Sequence, residues 1–186
     1  MRKFDRKQVK NELREIMTKD TVFVCVGTNK VAFDIFGPLC GDYLKKKGIP
    51  YFGDCKYNVN SLTMDDRLEE IYKINKLENK NIIAIDAAVT DDNDKVNRIV
   101  VNKERGIYPG AGVGKKHPMI GDKAIMMFTL NKIDLRQTME NYRKYSLAEG
   151  NKRDLCDIKR IRRYAYDLVN IINEVYNEVC NVEMNI

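Results

Sequence analysis

Residues 81–89 read NIIAIDAAV. Ile82, Ile83, Ala84 and Ile85 form an unbroken apolar run, too short for a buried helix and dominated by β-branched side chains. That is the pattern of a strand covered on both faces, as in a parallel sheet. Asp86 then closes the run with a charge. Two further stretches share the pattern: TVFVCVG (21–27), which ends in glycine, and AIMMFTL (124–130). VNRIVV (96–101) has polar residues interposed, so it reads as an antiparallel or edge strand, and residues 50–53 as a short strand.

Helical spacing fills the intervals. Val9, Leu13, Ile16 and Met17 recur over residues 5–18, with Asp5 as N-cap. Leu39, Tyr43 and Leu44 continue a face that Gly48 can close. Residues 65–78, 133–147 and 154–182 carry the remaining helical stripes, with a break over 149–154. Met64, Met119, Met126 and Met127 read as core filler. Buried strands alternating with helices predict an α/β sandwich with a mostly parallel sheet. At 186 residues the chain suits one domain spanning 1–186, its C-terminal helices (about 133–182) packed on the sheet.

Composition narrows the function. Hydrophobic residues make up 44% and charged residues 32%, which fits a folded, well-solvated chain. The net charge of +6 suits an acidic partner without itself implying nucleic acid. No run reaches the roughly 18 apolar residues of a membrane span, and the first residues lack the form of a secretory signal. Five scattered cysteines without a C-x-x-C point to a reducing, cytoplasmic compartment. The single histidine, His117, excludes multi-histidine metal sites, and any Ser or Cys triad would have to use it.

In open α/β sheets ligands bind beyond the carboxyl ends of the strands. That places the loops 28–34, 86–94 and 108–122 at the site. Asp34 lies one loop past the first strand and Asp86 stands where the second is expected to stop. Each has a plain alternative: Asp34 as the N-cap of the helix that follows it, Asp86 as the cap of a turn. Together they can share a water, one ionised and one protonated, which suits acid–base hydrolysis of an amide without a covalent intermediate. The same pair could instead hold a divalent metal. Pro109, Gly110 and Gly112 belong to PGAGVGKK (109–116), which fails as a phosphate loop. Three residues separate Gly110 from Gly114, and Lys115 is followed by Lys116 where a Walker loop needs Ser or Thr. No nucleotide cofactor is expected. Its glycines let a backbone approach closely, and the functional reading makes that backbone a substrate's. His117 reads as a surface loop residue or a third polar group in the cleft. The basic run KRDLCDIKRIRR (152–163) reads first as a solvated face, then as a dock for an acidic protein, with nucleic acid third.

The stretches FVCVGTNKVAFDIFGPLCG (23–41), NIIAIDAAV (81–89) and GIYPGAGVGKKHPMIGD (106–122) occur in order and span roughly residues 21–130. Together they resemble the YyaC-type spore protease family, which is itself similar to the germination protease of spores and more distantly to the hydrogenase maturation proteases. The resemblance implies a three-layer α/β/α sandwich of the phosphorylase/hydrolase-like type. It implies an endopeptidase of the sporulating cell or spore interior, acting on small acid-soluble spore proteins. Asp34 in F-D-I-F-G-P and Asp86 in I-A-I-D-A match the two aspartates proposed as catalytic in the germination protease. In the maturation proteases those places bind nickel or a substitute metal, with a histidine as third ligand. Thr28, Asn29, Pro109, Gly110, Gly112 and His117 are the candidate substrate-binding residues. A peptide-binding protein without catalysis and a metal-dependent hydrolase stay open as alternatives, as does self-association.

Overall fold

The computed structural model describes residues 5–74, 80–111, 114–145 and 157–181. In chain order the elements are α1 (Arg6–Ile16), β1 (Thr21–Cys25), α2 (Phe36–Lys47), β2 (Tyr51–Phe52), α3 (Met64–Tyr72) and β3 (Asn81–Thr90). Then come β4 (Ile99–Asn102), β5 (Lys123–Asn131), α4 (Lys132–Tyr145) and α5 (Ile158–Asn181). Asp5 caps α1 by accepting the Gln8 N–H at 3.0 Å. Gly48 closes α2 at φ 68°, a left-handed conformation that glycine adopts without cost.

The five strands lie in the order β2-β1-β3-β5-β4. β2, β1, β3 and β5 run parallel, and β4 pairs antiparallel with β5 at the edge. Side chains alternate across the sheet, so each strand divides its residues between two cores. Phe23, Cys25, Ile83, Ile85, Ile125 and Met127 face a core closed by residues of α1, α2 and α5. Val24, Ile82, Ala84 and Ala124 face a smaller core closed by Met64 and Ile71 of α3 together with Ile107 and Ile120. Helix, sheet and helix make the three layers of an α/β/α sandwich. Burial on both faces is why the strands read as continuous apolar runs.

One difference from the sequence expectation matters. Met119 is 42% exposed, because its loop runs over the surface, whereas Met64 and Met127 are fully buried. The break expected at 149–154 and ends of the three helices expected over 65–78, 133–147 and 154–182 fall outside the described residues.

The start of α2 sits directly on the strand tips. A Cβ on Gly37 would stand 1.9 Å from the Val26 carbonyl oxygen and 2.8 Å from that of Ile85. Only glycine lets the helix seat here. Pro38 falls in the first turn, where its missing N–H leaves no helical bond unmade.

Candidate functional site

The chain runs from β1 outward to β2 and then returns past β1 to β3, so the sheet's topological switch point lies between β1 and β3. A crevice opens there beyond the carboxyl ends of the strands. The last pair of the β1–β3 ladder is Cys25 with Ile85, and Asp86 is the next residue on β3. β3 itself does not stop at the acid. It continues to Thr90, paired with β5 from Ile83 onward, so what ends at Asp86 is its neighbour. Asp86 shares the face of Ile82 and Ala84, and at this point the smaller core gives way to an open cavity.

Asp34 reaches the same place by a tight loop. Val26 donates to the Ile85 carbonyl at 2.7 Å and Gly27 to that of Val59 at 2.7 Å. The Thr28 N–H then closes the loop on the Asp34 carbonyl at 3.0 Å. Gly27 has φ 133°, and a Cβ there would lie 2.2 Å from the Asp34 carbonyl oxygen, so the turn requires glycine. Residues Ala32–Asp34 form a single 3-10 turn. The N-cap of α2 is Ile35, without a side-chain capping bond. Asp34 is therefore not the helix cap, and its carboxylate is left on the cavity wall.

The cavity holds about 390 Å³ and is lined by both acids. Apolar walls come from Val26, Phe33, Met126 and Leu135, and polar groups from Asn60, Ser61, Asn102, Arg105 and Thr129. Both aspartates are half-buried at its wall, so they touch the cavity while the surrounding protein displaces bulk water. Burial raises the Asp34 carboxyl to about 7, partly opposed by its backbone hydrogen bond with Thr28. Burial also pushes Asp86 well above the carboxylate range, and the nearby Asp34 charge pushes it further. The Ala87 N–H, 2.8 Å from Asp86 Oδ1, opposes the shift without cancelling it. Among the described residues neither acid is in an ion pair. At neutral pH Asp34 is divided between its two forms, and the charged form of Asp86 is disfavoured by burial and by the Asp34 charge.

The other candidates are distributed more widely. Gly110 lines the cavity, and Pro109 is buried beside it. Gly112 lies outside the described residues. Thr28 and Asn29 do not line the cavity. Thr28 Oγ1 accepts the Lys30 N–H at 3.3 Å, and the Asn29 amide donates to the Cys55 carbonyl at 2.8 Å. His117 does not line the cavity either. Its Nε2 lies 3.1 Å from the Ser61 carbonyl oxygen, to which Lys115 Nζ also donates at 3.2 Å. His117 thus fastens the glycine loop to the Ser61 loop, one wall of the cavity to another. Among the described residues no group of three His, Cys, Asp or Glu side chains converges. The polar residues Asn60, Ser61, Asn102 and Arg105 come from segments whose sequence signals only turns and a strand end.

Residues 3–147 match a family described as protein of unknown function (DUF1256). The chain belongs to that family. The matched range contains both aspartates and every residue of the cavity, and it ends before α5. The chain is also 33% identical over 115 residues to a protein of Bacillus subtilis (strain 168) named "Uncharacterized protein YyaC". That similarity covers 60% of this chain and 54% of the relative, so the chain spans about half the length of the curated relative it matches. No helix among the described residues is long and apolar enough to cross a membrane.

Proposed function

We propose that this protein is a peptidase that hydrolyses peptide bonds by activating water between Asp34 and Asp86. The observation that carries this reading is one cavity walled by two half-buried carboxyls, both raised above their usual range and neither neutralised by a cation. Keeping two unpaired acids away from bulk water is costly to folding, and such costs concentrate where chemistry needs them.

Ionised Asp34 takes a proton from a water molecule as the water oxygen attacks the scissile carbonyl carbon. Protonated Asp86 donates to the carbonyl oxygen as it gains charge. The C–N bond then breaks as the proton held by Asp34 passes to the departing amine and the hydroxyl proton returns to Asp86, re-forming the C=O bond and releasing the carboxyl product. The assignment follows from the environments: the group with the higher pKa is the donor, and the one titrating near neutrality is the base. The resemblance to spore proteases supplies the substrate class, small acid-soluble spore proteins, and the setting, the cytoplasm of a sporulating cell or the spore interior.

Purified protein would be incubated with small acid-soluble spore protein and with a generic unfolded protein, the fragments being read by mass spectrometry. Wild type should cleave, and Asp34→Asn and Asp86→Asn should each lose about 10²–10⁴ in rate. Cleavage unchanged in both variants excludes the mechanism. Binding without turnover in every variant assigns the cavity to a peptide-binding protein instead.

A further inference from the structure

Outside the cavity two groups of surface cations stand on the flanks of α5. On one flank Arg6, Lys10 and Arg14 of α1 are matched to Asp167, Glu174 and Glu178 of α5. On the other, Lys46 and Lys47 end α2 and Lys159, Arg162 and Arg163 begin α5, and among the described residues none of the five makes an ion pair. Two tyrosines fix where this second flank lies. The rings of Tyr43 and Tyr166 meet edge to face, centroids 5.7 Å apart at 80°, and bridge α2 to α5. Lys46 Nζ stands 5.4 Å over the Tyr43 ring.

Helical spacing brings the cations to that bridge. Lys46 and Lys47 follow Tyr43 by three and four positions, and Arg163 and Arg162 precede Tyr166 by three and four. Residues so spaced are neighbours on a helix surface. Lys159 continues the same stripe toward the start of α5. The helix dipole disfavours Lys159 in the first turn of α5, whereas Lys46 and Lys47 sit in the last turn of α2, where it favours cations. Asp157 already caps α5, accepting the Arg160 N–H at 3.1 Å. Among the described residues, the acids Asp54 and Asp42 near the flank are engaged elsewhere: Asp54 accepts the Lys56 and Tyr57 N–H groups and faces Lys45, and Asp42 accepts the Cys55 N–H.

We propose that the flank shared by α2 and α5 docks an acidic polypeptide segment, with Tyr166 and Arg163 as its anchors. Five cations without an ion pair among the described residues complement a run of carboxylates, and Tyr and Arg are the side chains that dominate protein–protein contacts. Single-stranded nucleic acid fits less well. It is held by successive stacking rings along a groove, whereas here Tyr166 is 52% exposed and its partner ring stands nearly perpendicular to it. The docking surface does not depend on the peptidase chemistry and lies on other residues.

The test is fluorescence anisotropy on the full chain with a labelled Glu-rich peptide containing one Leu. A Gln-for-Glu version and a single-stranded oligonucleotide of equal length serve as comparisons. The Glu peptide should bind at low ionic strength and weaken with salt, and the Gln peptide should not bind. The double variant Lys46→Glu, Arg163→Glu should weaken binding at least about tenfold, and Tyr166→Ala severalfold, with circular dichroism unchanged. Three results overturn the proposal: no binding of the Glu peptide at low salt, equal binding by the folded charge-reversal variant, or tighter binding of the oligonucleotide.

Discussion

Asp34→Asn should stabilise the fold at neutral pH and change it little in acid. An aspartate ordinarily titrates at 3.8, and burial holds this one at about 7. Between those values the folded chain keeps a proton that the unfolded chain has lost. Stability contributed by the group is therefore full below about pH 4 and is lost as pH rises to about 7. A shift of roughly 3 units corresponds to about 4 kcal/mol at 1.36 kcal/mol per unit, which is a ceiling. Asp34 faces an open cavity, and water there discounts the figure to about 1–3 kcal/mol. Asparagine has nearly the same shape and cannot ionise, so it escapes this cost. Urea unfolding of wild type and variant at about pH 4.5 and about pH 7.5 isolates the effect, since every other titrating group is common to both. The variant's advantage should grow by about 1–3 kcal/mol from the lower pH to the higher. An equal difference at both would mean that Asp34 titrates as an ordinary surface acid, and the general-base assignment would fall with it.

Further outcomes follow from the same geometry. Gly37→Ala forces a methyl to within 1.9 Å of the Val26 carbonyl oxygen and should cost about 2–4 kcal/mol; a thermal midpoint equal to wild type would contradict the seating of α2 on the strand tips. The rate of peptide cleavage should rise with pH as Asp34 ionises near about 7 and fall at higher pH as Asp86 loses its proton; a profile that only falls above about pH 4 would reverse their roles. Burial raises the thiol pKa of Cys25 and Cys40, so neither should react with iodoacetamide until the chain unfolds; mass spectrometry of native protein would show any exception. Glu178, held down to about 2 by Arg14 and Lys10, joins α5 to α1, and Glu178→Gln should lower the melting temperature slightly at low salt and not at high salt.

The sheet was legible because its strands are buried on both faces: TVFVC, NIIAI and AIMMF admit few other readings. Asn97 and Arg98, just before β4, marked that strand as antiparallel or at an edge, and it is both. The acids were legible as candidates but not in their settings. A carboxylate before a helix signals a cap, yet the cap of α2 is Ile35, because the Gly27–Asp34 loop closes one residue earlier. A charge after an apolar run signals a strand end, yet β3 continues, because β5 pairs with it past Asp86 while β1 does not. Arg105, Asn60 and Ser61 carried no signal, since loops distant in sequence build the cavity walls and their local residues specify only turns. His117 shows the reverse: rarity made it conspicuous, and the fold uses its ring to hold Ser61.

The ionisation of the two aspartates inside the folded chain is the quantity on which the hydrolytic account turns. A carboxyl-carbon NMR titration of selectively labelled Asp34 and Asp86 measures it directly. Asp34 should titrate near about 7, with Asp86 still carrying its proton at that pH. Two curves with midpoints near about 4 would leave both acids ionised at neutral pH and the cavity without a proton donor.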